Sequence, residues 1–130
     1  MAKILLVEDE MLLRELALED LTDAGFEVSP ASDGDHAMSI LEEDRAFDLL
    51  FTDIKMPSSI DGHELAQRAK SLIPGLKVVY ASGLADTGAA GDGERYLTKP
   101  YRRETLFALL DELGVSAGGS GRSRVDEARA

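Results

Sequence analysis

Residues 48–57 read Asp-Leu-Leu-Phe-Thr-Asp-Ile-Lys-Met-Pro. The apolar run at residues 49–51 is typical of a parallel strand that is covered on both faces. A single carboxylate, Asp53, follows this run, and Pro57 then indicates an exit loop. Open α/β sheets bind their ligands at the carboxyl ends of the strands. The stretch therefore predicts a buried strand that presents Asp53 as the reactive group of the protein.

Length and composition predict a single soluble domain. The chain has 130 residues, of which 44% are hydrophobic, enough for one packed core. Its formal net charge of -11 argues against direct binding to nucleic acid or to an anionic membrane surface. The absence of cysteine excludes disulfides and thiolate metal sites. No apolar run is long enough to span a bilayer, and we expect a cytoplasmic protein.

Apolar runs and helical patterns alternate along the chain. Strands are predicted over Lys3–Val7 and over residues 26–29, 47–52, 76–81 and 96–97. This alternation indicates the α/β class, with a five-stranded parallel sheet and helices on both of its faces. For five strands we expect the flavodoxin-like arrangement, a (βα)5 three-layer sandwich.

The helical segments between the strands differ in strength. The first carries apolar residues at the spacing of one helical face, which predicts that this face is buried: Leu13, Leu16, Ala17, Leu21 and Ala24. Residues 85–93 contain three glycines and no apolar stripe, so we expect the fourth helix to be weak or shortened. Residues 116–130 are polar, which predicts a flexible tail after a domain of residues 1–115.

Functional groups stand at the ends of four predicted strands: Glu8, Asp9, Asp53, Ser82 and Lys99. In a parallel sheet these ends share one edge, so we expect the five side chains in one pocket. Packed carboxylates repel one another unless a cation joins them, and a few hard oxygen ligands suit Mg²⁺. A lysine and a hydroxyl can hold phosphoryl oxygens. Together the groups predict phosphoryl transfer onto Asp53 as the nucleophile.

Each of these residues also has a purely structural interpretation. Glu8 and Asp9 could form a solvated loop or a charged helix start, and Asp53 could cap a turn. Ser82 with Gly83 could be a simple turn. Their joint placement at successive strand ends is what favours a functional site.

Five motifs match one known family. They are Val-Glu-Asp-Glu at residues 7–10, Thr-Asp-Ile-Lys-Met-Pro at 52–57, Asp-Gly at 61–62, Ala-Ser-Gly at 81–83 and Leu-Thr-Lys-Pro-Tyr at 97–101. Through them the chain resembles a response-regulator receiver domain, the CheY-like family of two-component signalling. The resemblance extends over about residues 3–113.

This resemblance implies roles for the acidic residues. Asp53 matches the phospho-acceptor of the family. Asp9 matches the acid that binds the metal directly, and Glu8 its neighbour that acts through a metal-bound water. Lys55 occupies the position whose backbone carbonyl completes the metal site. The implied cofactor is Mg²⁺, or another divalent cation such as Mn²⁺.

The resemblance also implies roles at the later strand ends. Lys99 matches the lysine that pairs with the phosphoryl oxygens. Ser82 matches the switch hydroxyl that moves to bond the phosphoryl group, and Tyr96 matches the switch aromatic that turns inward as it moves. The structural alternative for Tyr96 is a half-buried strand tyrosine.

The function implied by the resemblance is that of a phospho-acceptor in a two-component phosphorelay, a regulatory domain that catalyses only its own phosphorylation and dephosphorylation. The donor would be a histidine kinase or a histidine phosphotransfer protein. The phosphorylated state would change binding to a downstream protein, with phosphorylation-dependent dimerisation as one form of output. A stand-alone regulator is favoured because no output domain follows, and the alternative is the C-terminal receiver fragment of a hybrid histidine kinase.

Two rival functions fit the sequence less well. A phosphatase of the haloacid dehalogenase type also uses an aspartate nucleophile at a strand end. It needs a second aspartate two residues later, where this chain has Lys55. A flavodoxin needs a loop that cradles phosphate after the first strand, and the acids at residues 8–10 would repel it.

Overall fold

The computed structural model describes residues 2–83, 91 and 93–116. Its strands are β1 Lys3–Val7, β2 Glu27–Ala31, β3 Leu49–Asp53, β4 Lys77–Ser82 and β5 Glu94–Thr98. The helices in these residues are α1 Met11–Asp23, α2 Gly34–Glu43, α3 Gly62–Leu72 and α4 Arg103–Glu112. All five predicted strands are confirmed; β1 has the predicted ends, and the ends of the other four are displaced by one or two residues. None of the described helices combines the length and apolar character needed to cross a membrane.

Two predictions concern parts of the chain outside this description. The weak fourth helix was predicted over residues 85–93, of which only Gly91 and Gly93 are described. The predicted tail begins at Ser116, which is the last described residue. Both remain predictions.

The five strands run parallel in one sheet with the order β2-β1-β3-β4-β5. The predicted flavodoxin-like arrangement is therefore confirmed. Strand β3 lies at the centre, flanked by β1 and β4, and its last residue, Asp53, pairs with Ala81. Because all strands point the same way, the residues that follow β1, β3, β4 and β5 meet at one edge of the sheet.

Two hydrophobic layers cover the sheet. The layer beneath α1 and α4 includes Leu6 and Phe51 of the strands together with Ala17, Leu21, Leu106 and Leu110 of the helices. The opposite layer, beneath α2 and α3, includes Leu5 and Leu50 together with Ala37, Leu41, Leu65 and Ala69. Alternate residues of one strand thus serve opposite faces, as strand geometry requires. The central strands are fixed from both sides, which gives the carboxyl edge a rigid base.

The predicted buried face of α1 is only partly correct. Ala17 and Leu21 are buried, but Leu13 is 38% exposed, Leu16 is 50% exposed and Ala24 is exposed. Ala24 follows the last residue of the helix, and Leu13 lies in its first turn. Leu16 precedes Ala17, so its side chain lies about 100° around the helix axis from the buried residues Ala17 and Leu21. The apolar spacing placed these residues near one face, but the sheet covers only the narrow centre of that face.

Side-chain caps fix where α2 and α3 begin. The Asp33 carboxylate accepts a hydrogen bond from the backbone N–H of His36 at 2.8 Å. Asp61 accepts one from the N–H of Glu64 at 2.9 Å. Such caps satisfy N–H groups that have no partner within the helix. The cap at Asp61 starts α3 at Gly62, immediately beside the end of β3.

Candidate functional site

The acids that follow β1 are held by the start of α1. Glu8 is buried and Asp9 is exposed. The backbone N–H of Glu10 donates to Glu8 Oε2 at 3.0 Å, and the guanidinium of Arg14 donates to the Glu8 carbonyl at 2.8 Å. These two bonds fix the backbone and one carboxylate oxygen of Glu8, while the other oxygen, Oε1, accepts a bond from Lys99.

The backbone that carries Asp53 is fixed on two sides. The Thr52 hydroxyl donates to the Asp53 carbonyl at 2.9 Å, and the N–H of Ile54 donates to the Ala81 carbonyl at 3.2 Å. The N–H of Gly62 donates to the Ile54 carbonyl at 2.7 Å. A Cβ atom at position 62 would lie 2.1 Å from the Asp53 carbonyl oxygen. Only glycine therefore allows α3 to begin this close to the buried carboxylate.

Lys99 joins the acids of two different strands. Its backbone N–H donates to the Ser82 carbonyl at 2.7 Å, which fixes the chain just after β5. Its ammonium nitrogen lies 2.6 Å from Asp53 Oδ1 and 2.9 Å from Glu8 Oε1. One cation thus bridges two buried carboxylates that are far apart in sequence.

The site opens to solvent through a cleft of about 400 Å³. It is lined by Asp9, Asp53, Lys55, Ala81, Ser82, Gly83 and Lys99. Carboxylate oxygens of Glu8, Asp9 and Asp53 all lie within 4.8 Å of one another. The structure therefore brings the acids, Ser82, Lys55 and Lys99 together at the carboxyl edge.

Burial controls the charges of this cluster. Burial, together with the hydrogen bond to Glu8, raises the pKa of Asp53 to about 8. Burial also opposes charge on Glu8, but its hydrogen bonds with Asp53 and Lys99 prevail and lower the pKa of Glu8. For Lys99, the two carboxylates outweigh burial and raise the pKa. The raised pKa favours the protonated form of Asp53, whereas the lowered pKa favours the charged form of Glu8.

The donor set fits a hard divalent cation. The clustered ligands are carboxylate oxygens, which suit Mg²⁺ better than they suit softer metals. Burial opposes ionisation of Asp53 although the Lys99 ammonium is in contact with it. A divalent cation would supply further positive charge and favour the ionised carboxylates. Glu8, Asp9 and Asp53 are therefore suitable metal ligands in number, type and charge.

Tyr96 lies apart from the other predicted site residues. It is the third residue of β5 and pairs with Tyr80 of β4. Its side chain packs in the layer beneath α3, where its hydroxyl is 3.2 Å from Nε2 of His63. It does not belong to the described lining of the cleft.

Three residues that support the site were not identified from the sequence. They are Arg14, which binds the Glu8 carbonyl, Thr52, which binds the Asp53 carbonyl, and His63, which contacts Tyr96. Of these three residues, only Thr52 had a signal in the sequence, because it is a polar residue next to Asp53 in a predicted buried strand. Arg14 and His63 act through contacts between separate elements, which spacing along the chain does not reveal.

Comparisons with known proteins agree with this geometry. A model of the response regulator receiver domain family matches residues 4–111. The chain is 34% identical over 122 residues to the response regulator receiver protein CpdR of Brucella abortus, covering 90% of this chain and 100% of CpdR. Other curated relatives are longer, and the chain spans only 47% and 45% of two transcriptional regulatory proteins.

Solved structures show the same fold. The receiver domain of the hybrid histidine kinase CckA is 34% identical, with a TM-score of 0.75, covering 86% of this chain and 98% of that domain. The response regulator TrrA of Thermotoga maritima, solved in complex with Mg²⁺ and BeF, is 27% identical. Its TM-score is 0.76, and the match covers 87% of this chain and 99% of TrrA.

Proposed function

Because the chain belongs to the response regulator receiver domain family of two-component systems, we propose that Asp53 is the residue that accepts its phosphoryl group. One observation carries this assignment. Asp53 is the buried carboxylate at the centre of the sheet edge, within 4.8 Å of oxygens of Glu8 and Asp9 and 2.6 Å from the Lys99 ammonium. This combination of nucleophile, metal ligands and cation is what phosphoryl transfer requires.

The proposed reaction transfers a phosphoryl group from a phosphohistidine of a partner protein. An Asp53 carboxylate oxygen attacks the phosphorus, and the bond between phosphorus and the imidazole nitrogen breaks. The electron pair of that bond returns to the imidazole, which takes up a proton from solvent. The product is an acyl phosphate on Asp53. Asp53 must be ionised before it attacks, because only the carboxylate is a nucleophile.

The cation of the site is the second part of the proposal. Asp9 and Asp53 would bind Mg²⁺ directly, Glu8 would bind through a water, and the backbone carbonyl of Lys55 would complete the set. Mn²⁺ would suit the same oxygens. When bound, the metal supplies positive charge that neutralises the oxygens of the transferred group. The close carboxylates and the raised pKa of Asp53 support this assignment.

Lys99 and Ser82 would stabilise the product. The Lys99 ammonium already contacts Asp53 and would pair with the phosphoryl oxygens. The Ser82 hydroxyl lines the same cleft and would donate to another of these oxygens. Tyr96 would then turn inward, as the family resemblance implies. Phosphorylation would thus bias an existing equilibrium between two conformations.

We infer that the output is a change in protein binding. The chain is a signalling domain, and we propose that it catalyses only its own phosphorylation and dephosphorylation. Its phosphoryl donor would be a histidine kinase or a histidine phosphotransfer protein in the cytoplasm. The phosphorylated face would bind a downstream protein or a second copy of the chain. Residues 1–115 would form the regulated domain.

Two architectures fit these proposals. Similarity over the full length of CpdR supports a stand-alone regulator. Similarity to the receiver domain of CckA supports, as a second candidate, a receiver segment of a hybrid histidine kinase. The coding sequence that adjoins this chain's would distinguish the two architectures, and a phosphotransfer profile against candidate kinases would identify the donor.

Acetyl phosphate provides a direct test of the acceptor. Intact-mass spectrometry of the wild type with Mg²⁺ should show one added phosphate, and chelation with EDTA should prevent it. Asp53→Asn should show none. Asp48→Asn removes an exposed acid just before β3 and serves as the matched control, with unchanged incorporation. Wild-type incorporation in Asp53→Asn, or full incorporation in EDTA, would refute the assignment.

A further inference from the structure

Three aromatic side chains connect the start of α3 with β4 and β5. The stacked rings of Tyr80 and Tyr96, on paired residues, have centroids 5.1 Å apart. The ring of His63 lies 4.8 Å from that of Tyr80, and its Nε2 atom is 3.2 Å from the Tyr96 hydroxyl. A phenol hydroxyl can donate or accept, so either tautomer of His63 can form this hydrogen bond. Tyr96 is therefore held both at its ring and at its hydroxyl.

The surroundings of His63 are themselves fixed. Tyr80 is buried, and its hydroxyl donates to Glu94 Oε2 at 3.4 Å. The same Glu94 oxygen accepts a bond from Lys70, which lies two turns further along α3 than His63. Helix α3 thus contacts β4 and β5 at two points two turns apart, through His63 and through Lys70. His63 consequently packs against the Tyr80 ring, which stays in place when the Tyr96 ring turns.

His63 also lies next to the backbone that carries Asp53. Its neighbour Gly62 donates to the Ile54 carbonyl, and a Cβ there would overlap the Asp53 carbonyl oxygen. No free space separates the start of α3 from the end of β3. A displacement of the Asp53 backbone must therefore move the first turn of α3, which includes His63.

From these contacts we propose that His63 is a positioning residue that holds Tyr96 against α3 and couples it to the state of Asp53. The inference rests on the proposed function, which makes Asp53 the acceptor and Tyr96 the switch aromatic. The hydrogen bond favours the half-buried ring position of this structure, which we take as the inward one, before any phosphoryl group is bound. Because coupling is reciprocal, a ligand at Asp53 that draws Tyr96 inward binds more tightly when His63 is present.

The test follows Tyr96 directly in the full chain. The sequence contains three tyrosines, so ¹³C-labelled tyrosine rings give a simple spectrum that single Tyr→Phe variants assign. His63→Leu removes the hydrogen bond, and His63→Gln retains an amide that can restore it. His36→Leu is the matched control, because the other histidine lies on α2 and contacts Ser32. Binding of Mg²⁺ with beryllofluoride, a phosphoryl mimic, is titrated in each variant.

We expect His63→Leu to shift the Tyr96 ring signal in the ligand-free protein and to weaken beryllofluoride binding about 2- to 10-fold. His63→Gln should restore most of both effects, and His36→Leu should change neither. In a Tyr96→Phe background the loss caused by His63→Leu should disappear. An unchanged Tyr96 signal, or an equal loss in the Tyr96→Phe background, would overturn the proposal and leave His63 with a packing role.

The proposed function of Asp53 and the proposed role of His63 would be contradicted by different results. A wild type that does not bind beryllofluoride with Mg²⁺ would contradict the proposed function of Asp53 and, with it, the coupling. The Tyr96 signal in His63→Leu would then still decide whether His63 positions the ring. Wild-type binding without any response of Tyr96 to His63→Leu would leave Asp53 as the acceptor and reject His63 as its link.

Discussion

The two ends of the sheet each hold a lysine between two carboxylates, yet the two clusters differ in electrostatics. The amino-end cluster contains Lys3, Glu27 and Asp44, and the carboxyl-end cluster contains Lys99, Glu8 and Asp53. The side chains of Glu27 and Asp44 are 57% and 35% exposed, whereas those of Glu8 and Asp53 are 9% and 7% exposed. The two carboxylates beside the lysine are thus in contact with water at the amino end of the sheet and largely removed from water at its carboxyl end.

The pKa directions show what this difference does. At the amino end, the hydrogen bond from Lys3 lowers the pKa of Asp44 and raises that of Lys3 itself. Both groups there prefer their charged forms. At the carboxyl end, burial raises the pKa of Asp53 although Lys99 is in contact with it. Burial therefore reverses, at Asp53, the direction of the pKa shift that the neighbouring lysine causes at Asp44.

The largest effect is expected when the carboxyl-end cluster is disturbed through its backbone. Gly62→Ala would place a methyl group 2.1 Å from the Asp53 carbonyl oxygen. Because neither backbone can yield without breaking the bond between Gly62 and Ile54, we expect a loss of roughly 3 kcal/mol in the free energy of unfolding. Urea unfolding measures this loss, and phosphorylation by acetyl phosphate should fall with it.

Gly83 provides the matched control for Gly62. It lines the same cleft, but a Cβ there meets no described atom within 4 Å. Gly83→Ala should change the free energy of unfolding by less than about 0.5 kcal/mol. Equal losses in the two variants would show that the close approach of α3 does not fix the Asp53 backbone.

Replacing the lysine of each cluster compares the two ends directly. Lys99→Met leaves Glu8 and Asp53 buried without a cation, so we expect a loss of roughly 2 kcal/mol at pH 7 without metal. Lys3→Met at the amino end leaves its acids in water and should lower the thermal midpoint only slightly. The Lys99→Met loss should shrink as the pH falls, because without the lysine a proton can neutralise the negative charge that remains on the buried acids. Similar losses for both variants would contradict the contrast between the ends.

Asp53→Asn should stabilise the metal-free protein. The pKa of Asp53 is raised from 3.8 to about 8 on folding. Its contribution to stability is therefore fully present below about pH 4 and is lost as the pH rises to about 8. Asparagine avoids this loss, so the variant should gain roughly 1–2 kcal/mol over the wild type at pH 8 and little at pH 4.

Urea unfolding from pH 4 to pH 9 in EDTA checks this prediction. The difference between variant and wild type should grow with pH, and Mg²⁺ should reduce it by stabilising only the wild type. Asp48→Asn, with its exposed carboxyl, serves as the control and should not show the same trend. A constant difference across the pH range would mean that burial does not hold Asp53 in its neutral form.

The arrangement of the carboxyl-end cluster could be predicted because its members stand at strand ends. The apolar runs that end before Glu8 and at Asp53 are unambiguous, and the alternation of strands and helices requires a parallel sheet. Parallel strands then bring these acids, Ser82 and Lys99 to one edge. Coordinates were needed to tell the strict steric requirement at Gly62 from the tolerant position Gly83, and to find the supporting contacts of Arg14 and Thr52.

Other features could not be predicted because they depend on packing between elements. The amino-end cluster joins Lys3 of β1 to Asp44 after α2, and no spacing in the chain signals that contact. His63 reaches Tyr96 for the same reason. Apolar spacing placed Leu16 near the buried side of α1, but periodicity does not tell how wide a strip of the helix its neighbours cover.

The smallest effect is expected from charge removal at the amino end. Asp44→Asn keeps a side-chain oxygen that can accept the bond now donated by the N–H of Ala46, so the substitution isolates the charge. Because the Lys3–Asp44 pair is close to water, the thermal midpoint should fall only slightly at 20 mM NaCl. The fall should shrink at 1 M NaCl, where the Debye length is about 3 Å. Asp53→Asn at pH 8 should keep its effect at 1 M NaCl, since salt does not enter the buried cluster. Should salt reduce both effects alike, the two clusters would share one electrostatic regime, and burial would not account for the raised pKa of Asp53.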